Sequence, residues 1–182
     1  MRKQQQIKFL TPEQIQTLLE STGDKRDQAV LQTLVTTGLR VHEFANLPRD
    51  HFKPETHPEG QTCELPIIGK GNVQRVIFFS PACLKAIFAY QATRKDEDSD
   101  PRLFPFTIRT AQNIVSRCAR EAGLGQVWPH MLRHSFATGL MKKGVSLFAI
   151  KEFLGHSSLV TTQQYLHVHN KDLREIHEKF YI

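Results

Sequence analysis

Five short stretches of the chain carry residue types able to do acid–base or anion chemistry. Arg40 and Glu43 lie three apart, so on a helix they share a face and can pair. Lys70 sits within Gly69-Lys70-Gly71-Asn72, and glycines on both sides of a lysine suit a tight hairpin turn that offers a mobile cation. His130 and Arg133 are also three apart, just after Pro129, so an imidazole and a guanidinium project together about a turn from a helix start, a geometry that suits an oxyanion. His156 follows Gly155, and Tyr165 comes later within Thr161-Thr162-Gln163-Gln164-Tyr165. Each feature alone is weak, because a lone histidine more often packs or faces water than reacts, a lone tyrosine more often fills core, and a single arginine more often faces solvent. The weight rests on their combination.

Local signals describe the elements that must position these groups. Thr11-Pro12-Glu13-Gln14 sets a capping hydroxyl, a first-turn proline and a capping-box glutamine ahead of Ile15, Leu18 and Leu19 at helical spacing. Asp24 caps a second helix that Gly38 ends, and a short helix follows from about Arg40. From His51 to Phe79 short apolar runs broken by Pro and Gly predict a small antiparallel sheet of three strands: His51-Phe52-Lys53, Leu65 to Ile68, and Val73 to Phe79. Ser80-Pro81 opens a helix through about Ala92, Thr107 or Ile108 opens another that stops at Gly123, Pro129 begins one that Gly144 ends, and Ser146 caps a short one before Gly155. Asn170 caps a last helix with an apolar stripe of Leu173, Ile176, His177 and Phe180. The fold class is α+β and mainly helical, with residues 1–169 as one domain and 170–182 as a C-terminal helix or arm.

Bulk composition narrows the function classes. The 182 residues are 40% apolar and 23% charged, enough for a real core and unlike a disordered or collagen-like chain. Apolar stretches such as Val76 to Phe79 fall far short of the ~20 residues that span a bilayer, and no signal-like apolar region follows the basic N-terminus, so the expected setting is the cytoplasm and no membrane is involved. Cys63, Cys83 and Cys118 are odd in number and show no Cys-x-x-Cys spacing, so they read as reduced thiols. Lys plus Arg exceed Asp plus Glu by 24 to 18, a formal net charge of +6, which favours a polyanionic partner, nucleic acid first. Two histidine pairs, His130 with His134 at i, i+4 and His167 with His169 two apart, offer zinc-like spacing. No Glu follows His130 as in His-Glu-x-x-His and no third ligand stands out, so His134 is expected to pack or hydrogen-bond inside the domain.

Taken in order, Thr37-Gly38-Leu39-Arg40, Gly69-Lys70-Gly71-Asn72, His130-Met131-Leu132-Arg133-His134, Leu154-Gly155-His156 and Tyr165 resemble the motifs of the tyrosine recombinase, or phage integrase, family. The match runs from about Leu10 to Val168 and is specific, since five motifs agree in order and spacing. The resemblance implies that the fold is that family's catalytic domain. It implies that Arg40 and Arg133 are the two catalytic arginines, Lys70 the hairpin lysine, His130 and His156 the two histidines, Tyr165 the nucleophile, and Glu43 the supporting acidic residue. It also implies a site-specific recombinase that needs neither ATP nor metal nor any other cofactor, and that acts as a homotetramer on paired sites in double-stranded DNA by integration, excision, inversion or resolution.

Those residue types suit the implied chemistry. Attack on a phosphodiester builds negative charge on the non-bridging oxygens, which two guanidiniums stabilise without being consumed. A phenol attacks once a base or a positive field helps remove its proton, with His130 the candidate base and His156 orienting or hydrogen-bonding the phosphate. A loop lysine can protonate the leaving 5′-oxygen, which assigns Lys70 as general acid. The family resemblance also suggests that the C-terminal stripe docks on a neighbouring protomer. Most family members carry a separate N-terminal DNA-binding domain, whereas about ten residues precede the first helix here; the expectation is a fragment or a compact recombinase similar to the fimbrial-type invertases. Position 42 is His where the family usually has a small polar residue, on a different helical face from Arg40. Two other readings are a strand-passage enzyme similar to type IB topoisomerases and a non-catalytic DNA-binding module.

Overall fold

The computed structural model describes residues 9–58, 60–69, 74–95 and 99–155. Its elements run α1 (Pro12–Glu20), α2 (Lys25–Thr37), α3 (Val41–Phe44), β1 (Cys63–Ile68), β2 (Gln74–Phe79), α4 (Pro81–Gln91), α5 (Ile108–Glu121), α6 (Pro129–Lys142) and α7 (Leu147–Leu154). The caps read from sequence form as expected. Thr11 and Gln14 close a capping box on α1, the Asp24, Ser80, Thr107 and Ser146 side chains each accept an N–H of the following first turn, and Gly38 and Gly155 end α2 and α7 in the left-handed conformation.

Helix α2 is the hub. It packs on α1, α4, α5, α6 and β2, and its Val30, Leu31 and Leu34 are buried in the main core. A second, smaller cluster of Ala137, Met141, Ile150 and Leu154 joins α6 to α7. Helix α7 therefore rests on few apolar contacts, supplemented by the ring of Phe153 against Phe78 of β2. Helix α3, at four residues, is too short to be stable alone. Phe44 fixes it by stacking on Phe104, ring centroids 4.4 Å apart, and burying such a ring is worth about 1.5–3 kcal/mol.

The expected three-stranded sheet is corrected to two strands among the described residues. Strands β1 and β2 pair antiparallel from Cys63 with Phe79 to Ile68 with Gln74. The run His51-Phe52-Lys53 forms no strand: Arg49–His51 is a 3-10 turn and a second covers Pro54–Thr56. Pro54 has a fixed φ and no N–H to give a ladder, and the Phe52 N–H turns back to the Arg49 carbonyl. Phe52 still reaches the core, its ring 4.8 Å from that of Phe79. Among the described residues no helix is long and apolar enough to cross a membrane.

Candidate functional site

The site is built where the ends of α2 and α7 meet the start of α6. Gly38 turns the chain at φ 63°, which directs its carbonyl toward α6 and sets the N-cap of α3 two residues on. A Cβ at Gly38 would lie 2.5 Å from a ring carbon of Phe136, so α6 approaches this turn as closely as only glycine permits. On α6 the buried Arg133 sends one Nη to the Gly38 carbonyl at 2.5 Å and the other to the Leu154 carbonyl at 2.6 Å. Arg40, at the N-cap of α3, sends Nη2 to the next carbonyl, that of Gly155, at 3.1 Å. Two guanidiniums thus hold consecutive carbonyls at the end of α7.

Glu43 organises the other side. It accepts the Arg40 backbone N–H at 2.8 Å and Arg40 Nη1 at 3.1 Å, so the expected pair forms and doubles as the cap of α3. Its two oxygens also receive Arg75 Nη1 and Nη2, at 2.9 and 2.7 Å, in a bidentate fork. Burial pushes the Glu43 carboxyl up, but the Arg75 hydrogen bonds, the Arg40 N–H and both positive charges outweigh it, leaving its pKa below the usual value. The Arg75 side chain is 4% exposed, and its Nε has no partner among the described residues. It also lies against Gly155, where a Cβ would meet Nη1 at 2.7 Å. Two guanidiniums, those of Arg40 and Arg75, meet the Glu43 carboxylate, and with Arg133 nearby on the Gly38 and Leu154 carbonyls the group carries an excess of positive charge, a field that favours a phosphodiester anion and the phosphorane formed from it.

Arg75 is the functional residue that sequence reading missed. The available signal was strand alternation, which groups Arg75 with Ile77 and Phe79 on one face of β2. A cation on an inward face calls for a buried anion, and Glu43 is that anion.

His130 stands exposed in the first turn of α6, one turn before Arg133. Desolvation lowers its pKa, and the charges of Arg133 and Arg40 lower it further, so the imidazole is neutral at pH 7 and able to accept a proton. The next ring on that face, His134, makes an edge contact with it at 4.2 Å and is pushed down to about 4 by burial, His130 and Arg133. His134 is half-buried, in keeping with the expectation that it packs inside the domain.

Arg40, Glu43, His130 and Arg133 are therefore brought together. Lys70, His156 and Tyr165 lie outside the described residues, as do the metal-pair histidines His167 and His169 and the expected C-terminal helix over 170–182. Two of these three expected catalytic positions adjoin described ones. Gly69, next to Lys70, lines an open cleft of about 550 Å3 together with Arg40, His42 and Glu43, and Gly155, next to His156, carries the carbonyl that Arg40 holds.

The phage integrase family profile matches residues 8–172. Tyrosine recombinase XerC of Corynebacterium glutamicum is 35% identical over 161 residues, which are 85% of this chain and 50% of that protein. The crystal structure of XerA recombinase matches with TM-score 0.79 at 30% identity, over 96% of this chain and 65% of the other. XerH site-specific recombinase, bound to palindromic difH substrate in a post-cleavage complex, matches with TM-score 0.79 at 27% identity, over 94% of this chain and 53% of the other. The chain spans about half the length of the first curated relatives it matches.

Proposed function

The chain belongs to the phage integrase family, and on that premise we propose that it is a site-specific DNA recombinase, breaking and rejoining double-stranded DNA through a 3′-phosphotyrosyl intermediate. In the proposed reaction the Tyr165 oxygen bonds to phosphorus, its proton passes to His130, the bond from phosphorus to the 5′-oxygen breaks, and Lys70 protonates that oxygen. Arg40 and Arg133 bind the non-bridging oxygens, and His156 orients the phosphate. Resealing runs the same steps backward, so no external energy source enters the balance. Glu43 and Arg75 are positioning residues: they touch Arg40 and Gly155 rather than the substrate.

The observation that carries this reading is the convergence of Arg40 and Arg133 on the Gly155 and Leu154 carbonyls, directly before His156. That arrangement joins two cations to the segment that leads to the proposed phosphate ligand and nucleophile. Supporting it, desolvation and the same two cations hold the His130 pKa below its ordinary value, which favours the neutral imidazole a base role needs. We propose further that the active unit is a homotetramer on paired sites in the cytoplasm, with residues 170–182 docking on a neighbouring protomer.

The test uses nicked duplexes of randomised sequence, in which the fragment released by cleavage diffuses away and traps the adduct. Wild-type chain is expected to give a covalent protein–DNA band that Tyr165→Phe lacks. Equal bands from both would overturn the proposal. Relaxation of supercoiled plasmid by a monomer, with no exchange between paired sites, would move the assignment to the topoisomerase-like reading.

A further inference from the structure

We propose that His51, His57 and Cys63 form a binding site for a borderline-soft divalent cation, zinc by first choice, which pins the 51–63 segment to the first residue of β1. One ligand atom from each residue lies within 4.8 Å of the other two. The Cys63 Sγ is 3.4 Å from His51 Nε2 and 3.7 Å from His57 Nε2. With zinc–sulfur bonds of about 2.3 Å and zinc–nitrogen bonds of about 2.0–2.1 Å, the sulfur–nitrogen edge of a tetrahedral site is about 3.5–3.6 Å, between the two separations found here. The two sulfur–nitrogen edges thus have the length a tetrahedral site needs before any metal is placed in it.

The framework holding the three groups is rigid for reasons independent of a metal. Cys63 is buried and paired across the ladder with Phe79. Phe52, next to His51, packs edge-on against that same Phe79 and against the His51 ring. The two imidazoles are 5.6 Å apart between centroids. Ring, thiol and strand thus share one anchor, and only the His57 side of the site rests on loop.

The donor set selects the cation. One thiolate and two imidazoles suit zinc, cobalt or nickel and disfavour magnesium and calcium, which take oxygen ligands. Three protein ligands leave the fourth tetrahedral position for water. Both Nε2 atoms now face carbonyl oxygens, His51 that of Glu64 at 2.9 Å and His57 that of His51 at 2.6 Å. In those bonds each Nε2–H donates, so metal binding moves each ring's proton to Nδ1, exchanges the two hydrogen bonds for metal–nitrogen bonds, and releases the Cys63 thiol proton to solvent. The consequence is structural: the cation would tie together a segment whose regular structure, among the described residues, is two 3-10 turns, immediately ahead of β1.

Untagged full-length chain, freed of metal and kept reduced, is titrated with cobalt(II). The expected result is a thiolate-to-cobalt charge-transfer band with tetrahedral d–d bands, saturating at one equivalent per chain and erased by zinc. Cys63→Ser removes the charge-transfer band, His57→Ala weakens binding by about tenfold or more, and Cys83→Ala and Cys118→Ala leave the spectrum as it was. Zinc raises the unfolding temperature of the wild-type chain but not that of Cys63→Ser. No thiolate band at excess cobalt, or a band that survives Cys63→Ser in a chain with wild-type circular dichroism, would overturn the proposal. None of these readouts depends on DNA cleavage.

Discussion

Arg75 meets both carboxylate oxygens of Glu43, at 2.9 and 2.7 Å, across 32 residues of sequence. The same carboxylate caps α3 and steadies Arg40, so a strand residue with no role of its own in the reaction sets the position of a proposed catalytic arginine. Removing one member of such a pair leaves a charge without its main partner, a loss of about 3 kcal/mol or more. Arg75→Ala is expected to lower the free energy of unfolding, measured by urea denaturation, by that amount. Arg75→Lys should recover little of it, because an ammonium cannot reproduce the two-pronged geometry. A change under about 1 kcal/mol in Arg75→Ala would show that Arg40 alone satisfies Glu43.

Acid should destabilise the fold in two steps. The unfolded His134 imidazole has the ordinary value of 6.5, while the folded one is held down to about 4. Between those values the unfolded chain binds more protons, so the stability contributed by neutral His134 is full above pH 6.5 and declines as pH falls toward 4. Glu43 acts lower: its folded value is below 4.5, so its contribution is present above 4.5 and lost as pH falls through the folded value. Urea midpoints of His134→Phe measured from pH 4.5 to 7 should slope less than those of the wild-type chain. Identical slopes would remove His134 as the source.

The depressed value of His130 predicts where cleavage loses its base. The acid limb of the cleavage rate should fall below pH 6.5, since desolvation, and after it the charges of Arg133 and Arg40, resist protonation of the ring. Arg133→Lys is expected to shift that limb little while slowing cleavage by about a hundredfold or more, because it keeps the charge and loses the fork.

Gly38 answers to two constraints that separate by mutation. Gly38→Ala must adopt φ 63° and also displace the Phe136 ring, which a Cβ would meet at 2.5 Å. The left-handed conformation alone costs about 1–2 kcal/mol. Adding Phe136→Leu to Gly38→Ala should therefore recover the steric part and leave the backbone part, as read from thermal unfolding of both variants. A double variant no more stable than Gly38→Ala would place the whole effect in the backbone.

What could be read from the sequence was mostly local. A hydroxyl or carboxylate at an N-cap and a glycine at a C-cap act within one turn, so Thr11, Asp24, Gly38 and Gly155 could be placed without knowing the fold. The Arg40–Glu43 pair was legible for the same reason. The third strand was not, because three residues around a single inward Phe52 fit a turn as well as a strand, and Pro54 decides the matter. Arg75 escaped because both faces of β2 carry apolar residues: Val76 and Phe78 are partly exposed while Ile77 and Phe79 are buried, so alternation alone does not say which face turns inward. The His51, His57 and Cys63 cluster escaped because residues six apart share no helix face, and Pro54 and Pro58 keep the run between them from being one strand, so the 3-10 turns that bring the three together were not legible.

The central claim is that the cations gathered around Leu154 and Gly155 serve one phenol, Tyr165. The direct measurement is mass spectrometry of the peptide trapped on a nicked duplex. The chain has three tyrosines, and Tyr90 is buried against Phe104. The expected product is a nucleotide joined through its 3′-phosphate to the peptide containing Tyr165. A nucleotide found on Tyr181, or joined through a 5′-phosphate, would contradict it.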